Sequence, residues 1–115
     1  MVKPGRSRSE IAQQARELMC VDLRRSHTIP ELAQACGTSP TVLKEAFREE
    51  YGLPVYEWFR RRRMIFAAKL LVRTDFPVAE VARAVGYVNS SKFARAFADC
   101  LRMRPHEWRA RYRRG

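Results

Sequence analysis

Ser90, Ser91, Lys92 and Arg95 crowd hydroxyl donors and two cations into one short stretch, while Phe93 and Phe97 stand four residues apart within it. On a helix, residues four apart share a face, so the two rings seat one side and the polar groups occupy the other. Asn89, just ahead, is a good N-cap, which puts the polar groups near the helix N-terminus. Hydroxyls, ammonium and guanidinium on a free helix face suit hydrogen bonding to base edges and neutralisation of phosphate. In a helix-turn-helix, the N-terminal residues of the second helix do this work. Taken alone, the stretch also fits an ordinary amphipathic surface helix. A second copy of the same device shifts the balance.

That copy lies upstream. Ser39 is a cap, Pro40 fills the first helical position where a missing N–H costs nothing, and Leu43, Phe47 and Tyr51 point inward. Thr41, Lys44, Glu45 and Arg48 point outward. Each copy follows a short apolar helix and a glycine. Leu32, Ala33, Cys36 and Gly37 match Val81, Ala82, Val85 and Gly86 at a spacing of 49 positions. One residue is inserted past the turn, and Ser39, Leu43, Phe47, Tyr51 and Leu53 then match Asn89, Phe93, Phe97, Leu101 and Met103 at 50. Glu57-Trp58 matches Glu107-Trp108. The alanines are small where two short helices cross, and the glycines supply the sharp turn. Trp58 and Trp108 read as core plugs. Two copies make a duplicated unit; a solenoid needs three or more.

The spacing predicts an all-α fold of about seven helices. The first runs from Ile11 to about Arg25 with Ile11, Ala15, Leu18, Met19 and Leu23 as its stripe. Ile29 to Cys36 follows behind a Thr28 cap, then Ser39 to about Tyr51, closed by Gly52. Val55 to about Arg73 is the longest, and Thr74-Asp75-Phe76-Pro77 breaks it. Val78 to Val85, Asn89 to about Arg102 and His106 to Tyr112 complete the set. The domain plan is a flexible basic leader over 1–9, a first helix-turn-helix over 10–53, a linker helix over 54–74 and a second helix-turn-helix over 75–115. A 19-residue linker at ~1.5 Å rise spans about 30 Å, close to the ~34 Å between successive major-groove faces. One monomer could therefore address two adjacent grooves without a palindrome.

The linker carries Arg60-Arg61-Arg62-Arg63. Successive residues turn by ~100°, so the four cannot share one face. One or two, Arg62 among them, can reach phosphate, and another pairs with a carboxylate.

Bulk composition agrees. The chain has 115 residues, 46% hydrophobic and 30% charged, with a net charge of +11. This is a folding composition with a polyanion or an anionic surface as its natural partner. Arginine dominates the cations, which favours bidentate recognition of phosphate and guanine. No apolar run approaches the ~20 residues of a membrane span. Met1 to Glu10 is polar, unlike a secretory signal. The odd, scattered cysteines (Cys20, Cys36, Cys100) fit free thiols in a reducing cytoplasm, and with only His27 and His106 beside them no metal site is expected. Nucleophile motifs and Gly-rich phosphate loops are absent, so enzyme chemistry is not expected. Neither a cofactor nor a small-molecule site is evident.

The chain resembles the DNA-binding domain of the AraC/XylS family of bacterial transcription regulators. The resemblance runs from Ile11 to Tyr112 and rests chiefly on Val78-Ala79-Glu80-Val81-Ala82-Arg83-Ala84-Val85-Gly86-Tyr87, Phe93, Arg95-Ala96-Phe97, Pro105 and Trp108-Arg109. Arg63-Met64, Ala67 and Leu70-Leu71 fit the family's linker helix. It implies two helix-turn-helix subdomains, asymmetric sites on double-stranded DNA and contact with RNA polymerase. Carried over, Thr41, Lys44 and Glu45 would face bases with Arg48 near phosphate; Ser90, Ser91, Lys92 and Arg95 would do the same downstream. Ser39 and Asn89 would hold helix N-termini against phosphates. The chain departs from the family in four places, one of them Pro54 at the start of the linker helix, which is expected to shift its entry. Arg102 stands where the family has glycine, and the strain of a positive φ predicts an altered helix end. Ala98, Asp99 and Cys100 replace family cations, weakening phosphate contact at that edge. Glu45 repels phosphate, so the first reading helix should bind less tightly than the second. The alternative function is a basic helical adaptor that binds RNA polymerase or another protein with little DNA specificity.

Overall fold

The computed structural model describes residues 7–113. They form seven helices and no strand: α1 (Arg8–Cys20), α2 (Ile29–Ala35), α3 (Pro40–Tyr51), α4 (Val55–Arg73), α5 (Val78–Ala84), α6 (Ser90–Leu101) and α7 (Pro105–Tyr112). The chain divides into two compact units, Met1–Phe59 and Arg60–Gly115. The division falls inside α4, whose first turn serves one unit and whose remainder serves the other.

The N-terminus differs from expectation. Ser7, Arg8 and Ser9, expected in the flexible leader, instead cap and start α1; residues 1–6 of that leader lie outside the described residues. Ser7 Oγ accepts from Glu10 N at 3.1 Å and Glu10 Oε1 accepts from Ser7 N at 2.9 Å, a capping box that satisfies two orphan donors at once. The far end of α1 also differs, stopping at Cys20 rather than near Arg25. Asp22 is the reason. Its carboxylate accepts from Arg24 N at 3.0 Å and its carbonyl accepts from Arg25 N at 3.1 Å, so the backbone closes a turn instead of another helical rung. Arg24's guanidinium on the same carboxylate holds the Asp22 pKa below its ordinary value.

Each unit packs four helical segments around its own core, α4 contributing its first turn to one and its remainder to the other. In the first unit, Ile11, Met19, Leu32, Leu43, Phe47 and Phe59 are buried, with Ala12, Ala15, Ala33 and Ala46 letting the backbones approach. In the second, Met64, Leu71, Val81, Val85, Phe93 and Phe97 fill the corresponding space. Burying one such aromatic side chain contributes about 1.5–3 kcal/mol. Trp58 and Trp108 are half-buried against these cores, each meeting a phenylalanine edge-on: Phe47–Trp58 at 5.6 Å and 81°, Phe97–Trp108 at 5.8 Å and 84°.

The repeat extends further than the turn motifs. The buried positions of α1 (Ile11, Ala12, Ala15, Met19) recur in α4 as Arg63, Met64, Ala67 and Leu71, each 52 positions on. Helix α4 therefore fuses the last segment of one unit to the first helix of the next. Its final turn is closed by a side chain from α7. Arg109 donates to Leu71 O at 2.8 Å, Thr74 O at 3.3 Å and Phe76 O at 2.6 Å, taking up one carbonyl of the last helical turn and two of the segment that follows it.

Among the described residues, no group of three His, Cys, Asp or Glu side chains could hold a metal ion, and no helix is long and apolar enough to cross a membrane.

Candidate nucleic-acid interface

Both turns are built alike. Gly37 and Gly86 take φ of 66° and 88°. Around them Thr38 N donates to Ala33 O and Tyr87 N to Ala82 O, both at 2.9 Å. Gly37 N and Gly86 N donate to Gln34 O and Arg83 O, both at 3.0 Å. This is a Schellman closure, and it accounts for glycine at both positions.

Each turn delivers a capped second helix. Ser39 Oγ accepts from Val42 N at 3.2 Å, and Asn89 Oδ1 accepts from Lys92 N at 2.9 Å. Helix α3 buries Leu43, Ala46 and Phe47 and leaves Thr41, Lys44, Glu45 and Arg48 exposed. Helix α6 buries Phe93, Ala96 and Phe97 and leaves Ser90, Ser91, Lys92 and Arg95 exposed. Ser39 and Asn89 are exposed at the helix starts. Every residue singled out on these two helices thus lies at the surface, gathered by unit.

The arginine run of α4 sorts as its helical rotation requires. Arg62 is exposed and Arg60 pairs with Asp99 at 3.1 Å. Arg63 is buried at 9% exposure, with its guanidinium 5.8 Å from the centroid of the Tyr87 ring. Burial lowers the Arg63 pKa from its ordinary high value, and the group remains a cation.

Two features of the surface were not foreseen. Arg8, assigned to the leader, donates to Glu45 Oε1 at 2.8 Å and lies 3.2 Å from Glu49 Oε1. The negative charge on α3 is therefore matched by a neighbouring guanidinium. The signal was present, because Arg8 and Arg60 stand 52 positions apart, as the buried residues do, and each pairs with a carboxylate of its own second helix. Arg102 is the other. It adopts φ 63° and ψ 21°, with its N–H donating to Ala98 O at 2.8 Å; Gly52 does the same at φ 77°, donating to Arg48 O at 2.8 Å. The expected change of shape at the end of α6 does not occur: the arginine takes the left-handed conformation that glycine takes in the first unit.

Two helix-turn-helix units, each presenting a polar face on its second helix, define a nucleic-acid-binding class of fold. Comparison with known proteins places the chain within that class. A helix-turn-helix domain family matches residues 32–111. The arabinose operon regulatory protein of Salmonella typhimurium is 37% identical over 82 residues, covering 71% of this chain and 29% of that protein. The HTH-type transcriptional activator RhaR of an Enterobacter species is 32% identical over 92 residues, covering 80% of this chain and 33% of that protein. The chain thus spans about a third or less of these two relatives. The DNA-binding domain of AdpA, solved in complex with a target DNA, superposes with a TM-score of 0.81 at 24% identity, covering 88% of this chain and 91% of that one, which shows the same fold. The chain belongs to the AraC-type family of helix-turn-helix transcription regulators.

Proposed function

We propose that this chain binds double-stranded DNA sequence-specifically as the reading domain of a transcription activator, with α3 and α6 in successive major grooves of an asymmetric promoter site. The observation that carries the proposal is the twin surface. Two capped helices, each seated by buried aromatics, offer hydrogen-bonding and charged side chains on the face the core leaves free. Thr41, Lys44 and Glu45 face bases in one groove and Arg48 a phosphate. Ser90, Ser91, Lys92 and Arg95 face the other. Ser39 and Asn89 turn helix N-termini toward phosphates, and Arg62 reaches a further phosphate. The +11 charge supplies the salt-dependent part of the affinity. AdpA's domain engages its DNA through the same fold, and RhaR is an activator; both support the assignment. RNA polymerase is the partner that activation requires, and the cytoplasm is the compartment that holds both.

The test is selection of bound duplexes from a random pool at about 150 mM salt, where nonspecific affinity has largely faded. Two short sequence blocks about one helical turn apart are expected. A single block would leave one unit reading bases. No enrichment, with polymerase capture retained, would favour the adaptor reading.

A further inference from the structure

The weakened edge of α6 has a neighbour that can replace what it lacks. In the first unit, Lys44 and Arg48 supply cations along the reading helix; at the matching positions, 50 residues on, α6 has Ala94 and Ala98. The two alanines leave room, and the structure has a cleft of about 620 Å³ there, between α6 and the start of α7. Arg104, the N-cap of α7, and His106 in its first turn line it on one side, and Ser90, Ser91 and Arg95 line it from α6. Their counterparts in the first unit, Pro54 and Tyr56, carry no charge. Asp99 also borders the cleft and would repel an anion, but Arg60 holds its carboxylate at 3.1 Å. The cleft is therefore cationic, with hydroxyls and an imidazole beside two guanidiniums.

We propose that this cleft binds a DNA backbone phosphate, with Arg104 as its principal cation and His106 as a hydrogen-bonding partner. The second unit thus draws its phosphate contact from the start of α7, whereas the first unit draws it from the reading helix itself. The proposal rests on the DNA-reading assignment above. A phosphate seated beside Ser90, Ser91 and Arg95 would also fix how deeply α6 enters the groove, since positioning contacts set the register for base contacts.

The experiment measures affinity of the intact chain for its selected duplex and for a scrambled duplex across a salt series. Arg104→Gln removes the charge while keeping the main-chain N–H that donates to Glu107 Oε1 at 3.2 Å, so the fold is retained. Arg24→Gln, which removes the same charge from the turn after α1, gives the baseline. Arg104→Gln is expected to flatten the salt slope by about 0.9 relative to that baseline. It should also weaken both duplexes by a similar factor, leaving the site preference intact. Arg104→Lys should restore the slope. If Arg104→Gln matches Arg24→Gln while the wild-type chain still prefers its selected duplex, the phosphate site is wrong and the DNA-reading assignment stands. If the wild-type chain shows no preference between duplexes, the assignment itself fails and the cleft has lost its proposed occupant.

Discussion

Phe47 meets Trp58 and Phe97 meets Trp108 at nearly the same distance and angle, and Gly37 and Gly86 close the same hydrogen bonds. The apolar frame of the two units has been kept. Their charges have not. Arg95 stands where Glu45 stands in the first unit, 50 positions earlier, and Ala94 and Ala98 stand where Lys44 and Arg48 do. Arg8 reaches both Glu45 and Glu49; Arg60 reaches Asp99, the counterpart of Glu49, and Arg95 is left to face outward. Inside the units, Arg63 fills the place of Ile11 and Arg109 that of Phe59. Residues that meet the core through hydrocarbon in one unit meet it through guanidinium in the other. The lesson is that one scaffold tolerates a reversal of sign on the exposed face of its second helix, because that face contributes little to the packing beneath it.

The largest effects should come from the shared frame. Phe47→Ala and Phe97→Ala each delete a ring with no exposed surface, and each is expected to cost about 3–5 kcal/mol. Urea unfolding followed by hydrogen exchange in each unit checks this. Equal losses would support an equivalent frame; a loss below about 1.5 kcal/mol at either site, the cost of a tolerated core swap, would break the equivalence.

Arg109 sharpens the contrast. Three carbonyls accept from it, and Arg109→Ala strands them, so a loss of about 1.5–3 kcal/mol is expected. Arg109→Lys should recover only part of this, since an ammonium cannot span carbonyls as a planar fork does. Full recovery by lysine in a thermal melt would mean that charge near the helix end, rather than fork geometry, is what stabilises α4.

On the reading faces the expected effect is on binding. Arg95→Ala should cost about 1–3 kcal/mol of affinity and relax preference at one or two base pairs. Glu45→Ala should change preference in the other unit's block, with a smaller loss because its charge is already matched by Arg8. Selection repeated with each variant reads both. An unchanged preference for Arg95→Ala would remove that residue from the reading set.

Much of this frame is legible in the sequence. Periodic apolar residues, caps and glycines locate all seven helices, because each signal is local and each helix needs its own. What was missed was non-local or outweighed. The Ser7 to Glu10 capping box was written in the chain, but Pro4, Gly5 and the Arg/Ser alternation suggested a tail. Leu23 continued the apolar stripe of α1, and Asp22 overrode it. Arg8 against Glu45 and Arg109 against the end of α4 join residues more than 30 positions apart, and spacing alone does not reveal such pairs. The surface position of each candidate contact followed from the helical face; what lies opposite it did not.

The smallest expected effect concerns how the two reading helices end. Gly52 and Arg102 both take the left-handed conformation, which costs a residue bearing Cβ about 1–2 kcal/mol. Glycine avoids that strain but loses more freedom on folding, which returns about 0.4–1 kcal/mol. The net is centred on about 0.8 kcal/mol in favour of glycine at such a site. Arg102→Gly should therefore stabilise the chain by that amount. Gly52→Ala should destabilise it by a similar amount, because a Cβ there meets no other atom within 4 Å and only backbone strain remains. Opposite shifts of a few degrees in the melting temperature are expected, at about 4–8 °C per kcal/mol for a unit of this size. If Arg102→Gly instead lowered the melting temperature, the arginine side chain would be stabilising the end of α6 in a way that outweighs its strained backbone.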